Sequence, residues 1–538
     1  MSSLLKEIAG QSFRGGFTLF LGDSISTILL AVGSILVARF LSPEGYGLYS
    51  LVIVAPSILS SLIALGMDSA VINFIAKYNS KGKFKQSTSF IKVALTTRLI
   101  LSFIMWLICF LSSDIVAKYF LNRPEAGFYI KLSSFLIISQ GIFNILYNIC
   151  VGLDKYEIGA AVKIFMSIVK SSLAPILIII GLGVAGAVSG HVLSFASASI
   201  LATSLIFLGP YKRLKSAQAS VGEFENSFTG ILETMISYGL PLYVSSLLLL
   251  LADQYRLIVL AYNVSNFEIG NFQAAGNFLT LLAVISTPIA TALFPAFSKL
   301  SRESGEVEKA FQYSVKYTGM LIVPAAFLTM IMSRNFIEIV YGHRYSLAPT
   351  FLSLYSILYI CSAFGSIVLD NFFNGLGETR INLKATIVYI ISFIPLSMFL
   401  TYSYGVVGLI ISVLTSSILK ILYSLYIVER RLKISIDYRG SLGILAASAA
   451  AAILTLPLAL NESMPAYANL LLGGILYLAV YITILPIVKV FQQTDIEVMR
   501  SIFQEYVILK QLANLIIEYE SRLIGRVCYC KKTEEERG

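Results

Sequence analysis

Charge is scarce in this 538-residue chain: Asp, Glu, Lys and Arg together make up 13% of it, about half of what soluble globular proteins carry. Histidine occurs twice and tryptophan once. A composition so poor in ionisable groups excludes a soluble enzyme, a secreted scaffold and a nucleic-acid-binding domain. The five cysteines form no even, regularly spaced framework. Cys109, Cys150 and Cys361 sit inside apolar runs, where a thiol is a small hydrophobe. Cys528 and Cys530 lie in the polar tail, where they suit a metal or a lipid, but two thiols fall two ligands short of a closed zinc site. His191 and His343 are too few for a metal centre and read as structural.

What fills the chain instead is apolar surface. It is 57% hydrophobic with a mean hydropathy of +0.81, the profile of an all-α, polytopic membrane protein, because hydrocarbon tolerates only backbone that satisfies its own hydrogen bonds. The stretch from Met1 to Arg14 is short and amphipathic, and the apolar run after it is long enough to span and stay, so no cleavable signal peptide is expected. Apolar runs fall at 16–37, 47–66, 90–112, 129–151, 158–181 and 184–208. After Lys212, Arg213 and Lys215 come runs at 236–260, 270–296, 314–333, 346–369, 385–403 and 406–428, and after Arg430, Arg431 and Lys433 two more at 440–459 and 468–488. The expected total is about fourteen spans of ~20 residues.

Charge supports that count independently. With the N-terminus inside, most of the 40 basic residues fall in cytoplasmic segments, and only Arg39, Lys118, Arg123, Lys131, Arg334 and Arg344 fall outside. Both termini are therefore expected in the cytoplasm. The net charge of +10 is mostly topological and mildly adhesive toward anionic lipid.

The chain also repeats itself. LYNICVGL at 146–153 recurs as LDNFFNGL at 369–376, an offset of 223 positions, and the same offset pairs Ala38, Ser42, Gly47 and Tyr49 with Ala261, Ser265, Gly270 and Phe272. With an offset of 222, Gly183, Val184 and Gly186 pair with Gly405, Val406 and Gly408. An even number of spans per repeat makes the halves parallel, an arrangement used for alternating access around a central cavity between two lobes. The expected domains are an N-lobe over 1–214, a C-lobe over 215–433, two extra spans over 434–488 and a cytoplasmic tail over 489–538. Within that tail, 495–524 reads as an amphipathic helix.

Ionisable groups inside spans mark candidate sites, since each is costly in hydrocarbon without a partner or a wet cavity. They are Asp23, Arg98, Lys163, Lys170, Asp253, Arg256 and Lys420. Asp253 and Arg256 share a helix face at i, i+3 and can neutralise each other. Lys170 and Arg98 have no carboxylate on their own face, which calls for a distant partner or an anionic ligand, and Lys420 is close enough to the inner end of its span to snorkel. Amides, among them Asn148 and Asn277, cluster in the fourth and eighth runs, as helix glue or as partners for a hydroxylated substrate. No Asp-X-Asp pair or large external domain offers a membrane glycosyltransferase or ligase its metal and acceptor site. The basic excess in the spans favours an anionic substrate over the cations that a cation-coupled multidrug-type exporter takes.

The stretches VARFLSPEGYGLYSL, LGMDSAVINFIAKY, VGLDKY and NGLGETR carry a resemblance. The chain, over about 1–490, resembles the polysaccharide transporter (oligosaccharide flippase) family of the multidrug/oligosaccharidyl-lipid/polysaccharide flippase superfamily. In Ala38 to Gly47, its most specific block, Pro43 is expected to start an external turn, with Gly45 and Gly47 giving a tight return. The resemblance implies a fourteen-helix flippase with two six-helix lobes. Its implied partners are a lipid-linked oligosaccharide, membrane lipids and the glycosyltransferases or polymerase of the same pathway. It implies no cofactor, metal or nucleic acid. It further implies basic residues in the central cavity for the phosphate of the lipid carrier, here Lys170, Arg256, Arg98 and Lys420 by character and span, with Asp23, Asp253, Asn148 and Asn277 as polar or coupling candidates. The arginine-rich first helix of lipid II flippases is absent.

Overall fold

The computed structural model describes residues 3–217, 227–298, 305–491 and 495. The expected tail helix at 495–524, apart from Asp495, and the Cys528/Cys530 pair lie outside the described residues. Every described element is a helix. They form two compact units, Met1–Asn277 with Ser397–Leu409, and Phe278–Leu396 with Ile410–Gly538.

The first unit runs through α1 (Ser3–Phe40), α2 (Pro43–Val52), α3 (Val54–Leu62), α4 (Met67–Ser80), α5 (Phe84–Ile115), α6 (Gly127–Ser133), α7 (Phe135–Gly152), α8 (Tyr156–Leu177), α9 (Gly183–Leu208), α10 (Pro210–Ala217), α11 (Phe228–Asn263) and the start of α12 (Asn266–Ser298). Small residues let its helices approach: a Cβ added to Gly22 of α1 would lie 2.6 Å from that of Ala160 in α8, and one on Gly190 of α9 would meet the Ala174 backbone of α8. Around α4, α5, α7 and α9 lies a core containing Phe74, Phe90, Leu146, Ile149 and Ala198.

The second unit holds α13 (Glu306–Ile331), α14 (Ser333–Tyr341), α15 (Ala348–Ile360), α16 (Leu369–Gly375), most of α17 (Thr379–Arg430), α18 (Tyr438–Ala459) and α19 (Ala466–Ile487). Phe297, Phe311, Phe372 and Phe373 form one of its cores. Ala447 and Ala451 of α18 pack with Tyr477 and Tyr481 of α19 in another. Asp495, fully buried, accepts from Lys316 Nζ at 2.7 Å and from Tyr317 Oη at 2.8 Å.

Leu111, Ile180 and Phe399 are each 70% exposed, which water would penalise and lipid does not. By length and composition nine described helices can cross a membrane, or ten with the bent pair Ala348–Phe364 and Leu369–Gly375. Two of the nine, Tyr156–Ser216 with 61 residues and Thr379–Arg430 with 52, are each long enough for two crossings. They turn at repeat-related glycines: Gly183 has φ 50° and ψ −131°, and Gly405 has φ 57° and ψ −137°, a conformation open essentially to glycine. Fourteen spans remain the expectation of hydropathy and charge.

Two local expectations change. The run at 346–369 is not one straight span: it breaks at Gly365 (φ 83°) and bends by 42°. Pro43 does not open a turn. Ser42 caps α2 by accepting from the Gly45 amide at 3.2 Å, and Pro43 occupies the first turn, where its missing N–H costs nothing.

Candidate functional site

Close packing of α1 on α8 determines the first polar cluster. The Gly22–Ala160 contact brings the adjacent Asp23 to Lys163, whose Nζ donates to Oδ1 at 2.6 Å. Tyr147 of α7 donates to the same oxygen at 3.5 Å, and Lys163 Nζ sits 5.5 Å from the Tyr147 ring centroid. Asp23 is thus neutralised within its own unit.

Two turns along α8, Lys170 meets no carboxylate. Its Nζ lies 2.9 Å from His191 Nε2 of α9, and His191 Nδ1 lies 3.1 Å from Tyr49 Oη of α2. An ammonium can only donate, so Nε2 accepts, and Nδ1 carries the imidazole proton and donates to Tyr49. The histidine therefore supports the lysine without cancelling its charge. Arg98 of α5 differs: its side chain is 1% exposed and paired through a guanidinium NH2 group with Asp68 of α4.

Arg256 and Asp253 on α11 form the expected i, i+3 pair at 3.1 Å. In the second unit, Lys420 Nζ donates to Asp370 Oδ2 at 2.8 Å in the wall of a cavity of about 300 Å³. Asn277 Nδ2 donates to Tyr46 Oη at 2.8 Å, and Asn148 is half-buried on α7. The structure thus ties each candidate cation to a partner of its own. Among the described residues no group of three or more His, Cys, Asp or Glu could hold a metal ion.

A second constellation joins the repeated blocks. Ser265 and Glu268 form a capping box on α12, with the Ser265 amide donating to Glu268 at 3.0 Å and the Glu268 amide to Ser265 Oγ at 3.3 Å. Its repeat mate Ser42 caps α2. A Cβ on Gly47 would strike the Asn266 carbonyl, and one on Gly270 would strike the Pro43 carbonyl. Because 43 and 266, and 47 and 270, are both 223 apart, the contact is reciprocal in the manner of a two-fold interface. Gly47 therefore serves close backbone approach rather than a turn. Arg123 fastens the same end, donating from Nε to Asn266 Oδ1 at 2.9 Å and from a guanidinium NH2 group to the Val264 carbonyl at 2.6 Å.

Asp68, His191 and Tyr49 are partners of the candidate residues that sequence reasoning did not assign. Asp68 had a usable signal, being a carboxylate directly after an apolar run and inside a motif block. His191 had little beyond its rarity.

Helices that pack through small residues, expose apolar faces and hold paired ionisable groups define a multi-pass membrane protein. Comparison with known proteins places it further. Residues 36–350 match the family described as "Polysaccharide biosynthesis protein", and the chain belongs to that family. It is 20% identical to stage V sporulation protein B of Bacillus subtilis (strain 168) over 80% of this chain and 86% of that protein. Two solved structures share its fold. One is the lipid II flippase MurJ in an inward closed conformation, with TM-score 0.66 at 15% identity over 86% of this chain and 97% of that one. The other is an inward-facing multidrug resistance MATE family transporter of the MOP superfamily, with TM-score 0.60 at 18% identity over 76% of this chain and 95% of that one.

Proposed function

We propose that this protein is a flippase that moves a polyprenyl phosphate- or diphosphate-linked oligosaccharide from the cytoplasmic to the outer leaflet for polysaccharide or glycoconjugate biosynthesis. It works by alternating access in the cell membrane, with both termini cytoplasmic, and makes or breaks no covalent bond. A phosphate and a sugar chain cannot cross hydrocarbon unaided. The protein offers them a hydrated, positively charged path while the polyprenyl tail stays in lipid.

Lys170 carries this reading. Its hydrogen-bond partner is a neutral imidazole rather than a carboxylate, so its positive charge is uncompensated and suited to an anionic headgroup. Arg256 assists, its side chain 24% exposed beside a more exposed Asp253. Arg98, already ion-paired, is a weaker phosphate candidate, Lys420 is turned from that role by its pairing with Asp370, and Asp23, Asp253, Asn148 and Asn277 supply polar lining or coupling. The reciprocal Gly47–Gly270 contact closes the end expected outside and serves as a gate that must part for release. Glycosyltransferases or a polymerase of the same pathway supply and consume the substrate.

The test is translocation of a fluorescent polyprenyl-diphosphate saccharide in proteoliposomes. The Lys170→Gln/Arg256→Gln variant, shown to be folded and inserted, is expected to lose flipping. Undiminished flipping would overturn the site, and cation-driven drug export without saccharide flipping by the native protein would overturn the function.

A further inference from the structure

We propose that the cavity around Asp370 and Lys420 in the second unit is a subsite for one neutral, hydroxylated ring, a single sugar residue. The argument begins with its wall. Ser417, Lys420 and Ser424 fall on one face of α17, spaced by three and four residues. Opposite them stand Ser366 and Asp370, on the segment where the preceding helix breaks at Gly365, and Tyr359 completes the polar lining. Irregular backbone in a membrane protein is tolerated where it lines a cavity, and broken helices recur at transporter binding sites.

Hydrogen-bond capacity then selects the ligand. Tyr359 is engaged, its hydroxyl donating to the Leu279 carbonyl at 3.2 Å. Ser366, Ser417 and Ser424 make no side-chain hydrogen bond to any described residue. Asp370 meets Lys420 through Oδ2 at 2.8 Å, leaving Oδ1 as an acceptor and two ammonium protons as donors. A groove in the first unit, about 460 Å³ between α7 and α9, provides the contrast. It too carries hydroxyls, but Ser139, Ser199, Thr203 and Ser204 all donate back to carbonyls at 2.7–3.0 Å, so that wall presents its guest with hydrocarbon. The cavity of the second unit presents uncommitted hydroxyls, a carboxylate oxygen and an ammonium.

Charge balance narrows the class. The Asp370–Lys420 pair sums to zero, so a phosphate would face the carboxylate and a metal cation would compete with an ammonium already seated. Vicinal hydroxyls meet neither penalty, since each both donates and accepts, matching serines and a carboxylate together. About 300 Å³ is the small end of the range for ligand pockets, room for one ring rather than a chain. The inference deepens the flippase reading by naming where a sugar of the cargo is held, but its test needs no translocation.

The experiment is saturation-transfer NMR on the full-length protein in nanodiscs with methyl glycosides of glucose, galactose, mannose and N-acetylglucosamine. At least one glycoside should show saturable transfer, lost about tenfold in affinity in Ser417→Ala/Ser424→Ala, which removes two hydrogen-bonding groups. Inorganic phosphate should not compete. The milder Ser417→Thr retains a hydroxyl and should retain binding. Silence across the four glycosides, equal binding by the double alanine variant, or displacement by phosphate would each overturn the subsite. Glycoside binding with no flipping by the native protein would instead overturn the proposed function and leave the subsite standing.

Discussion

Lys170 and His191 face one another across α8 and α9 with 2.9 Å between Nζ and Nε2, an ammonium resting on an imidazole. The pairing differs in kind from Asp23 with Lys163 or Asp370 with Lys420, where opposite charges cancel. It holds the lysine in place without consuming its charge.

The Arg98–Asp68 pair predicts an asymmetry. Arg98 is 1% exposed on its side chain and Asp68 33%, so Asp68→Asn strands a buried guanidinium while Arg98→Met leaves a carboxylate that water reaches. Asp68→Asn should cost stability in the range of about 3–5 kcal/mol that breaking a buried pair brings, and Arg98→Met distinctly less. Thermal unfolding of the purified variants measures both, with Arg98→Met/Asp68→Leu recovering much of the loss. Equal destabilisation by the two single variants would contradict the burial argument.

For the glycine contact, Gly47→Ala and Gly270→Ala should each disfavour the closed arrangement by about 1–3 kcal/mol, the usual cost of overpacking. A cysteine at Gln273, three positions beyond Gly270, reports it through its maleimide labelling rate. Labelling should quicken by similar factors in the two variants, and the double variant should add little. A strong effect from one alanine and none from the other would break the proposed equivalence.

Topology is checked by impermeant maleimide on intact cells carrying single cysteines. Asn266→Cys and Glu462→Cys should react from outside, whereas Lys215→Cys and Lys433→Cys should not. External labelling at 215 would overturn the orientation.

Much of the fold was legible because hydrocarbon imposes a coarse rule: apolar runs near spanning length appear as α5, α7, α9, α18 and α19 with boundaries shifted by only a few residues or by added polar turns. The repeat was legible at Ser42 and Ser265 and at Gly183 and Gly405 because caps and left-handed glycines demand particular residues. The site was less so. Arg98 finds Asp68 across 30 positions and Lys170 finds His191 across 21, and helical periodicity on one element says nothing about which neighbour faces it. Gly47 was noticed for the wrong reason, since turns and close helix crossings both select glycine. The break at Gly365 was hidden inside an apolar run whose hydropathy does not register backbone direction.

The reciprocity of Gly47 and Gly270 bears on how the contact can move. Gly47 rests on the carbonyl of Asn266 while Gly270 rests on that of Pro43, so each helix end is at once the knob and the socket of the other. Pulling one out of register withdraws both, and a tilt that relieves one side drives the other into a carbonyl. If this contact is the proposed gate, its geometry makes it an all-or-none catch with no graded half-open position.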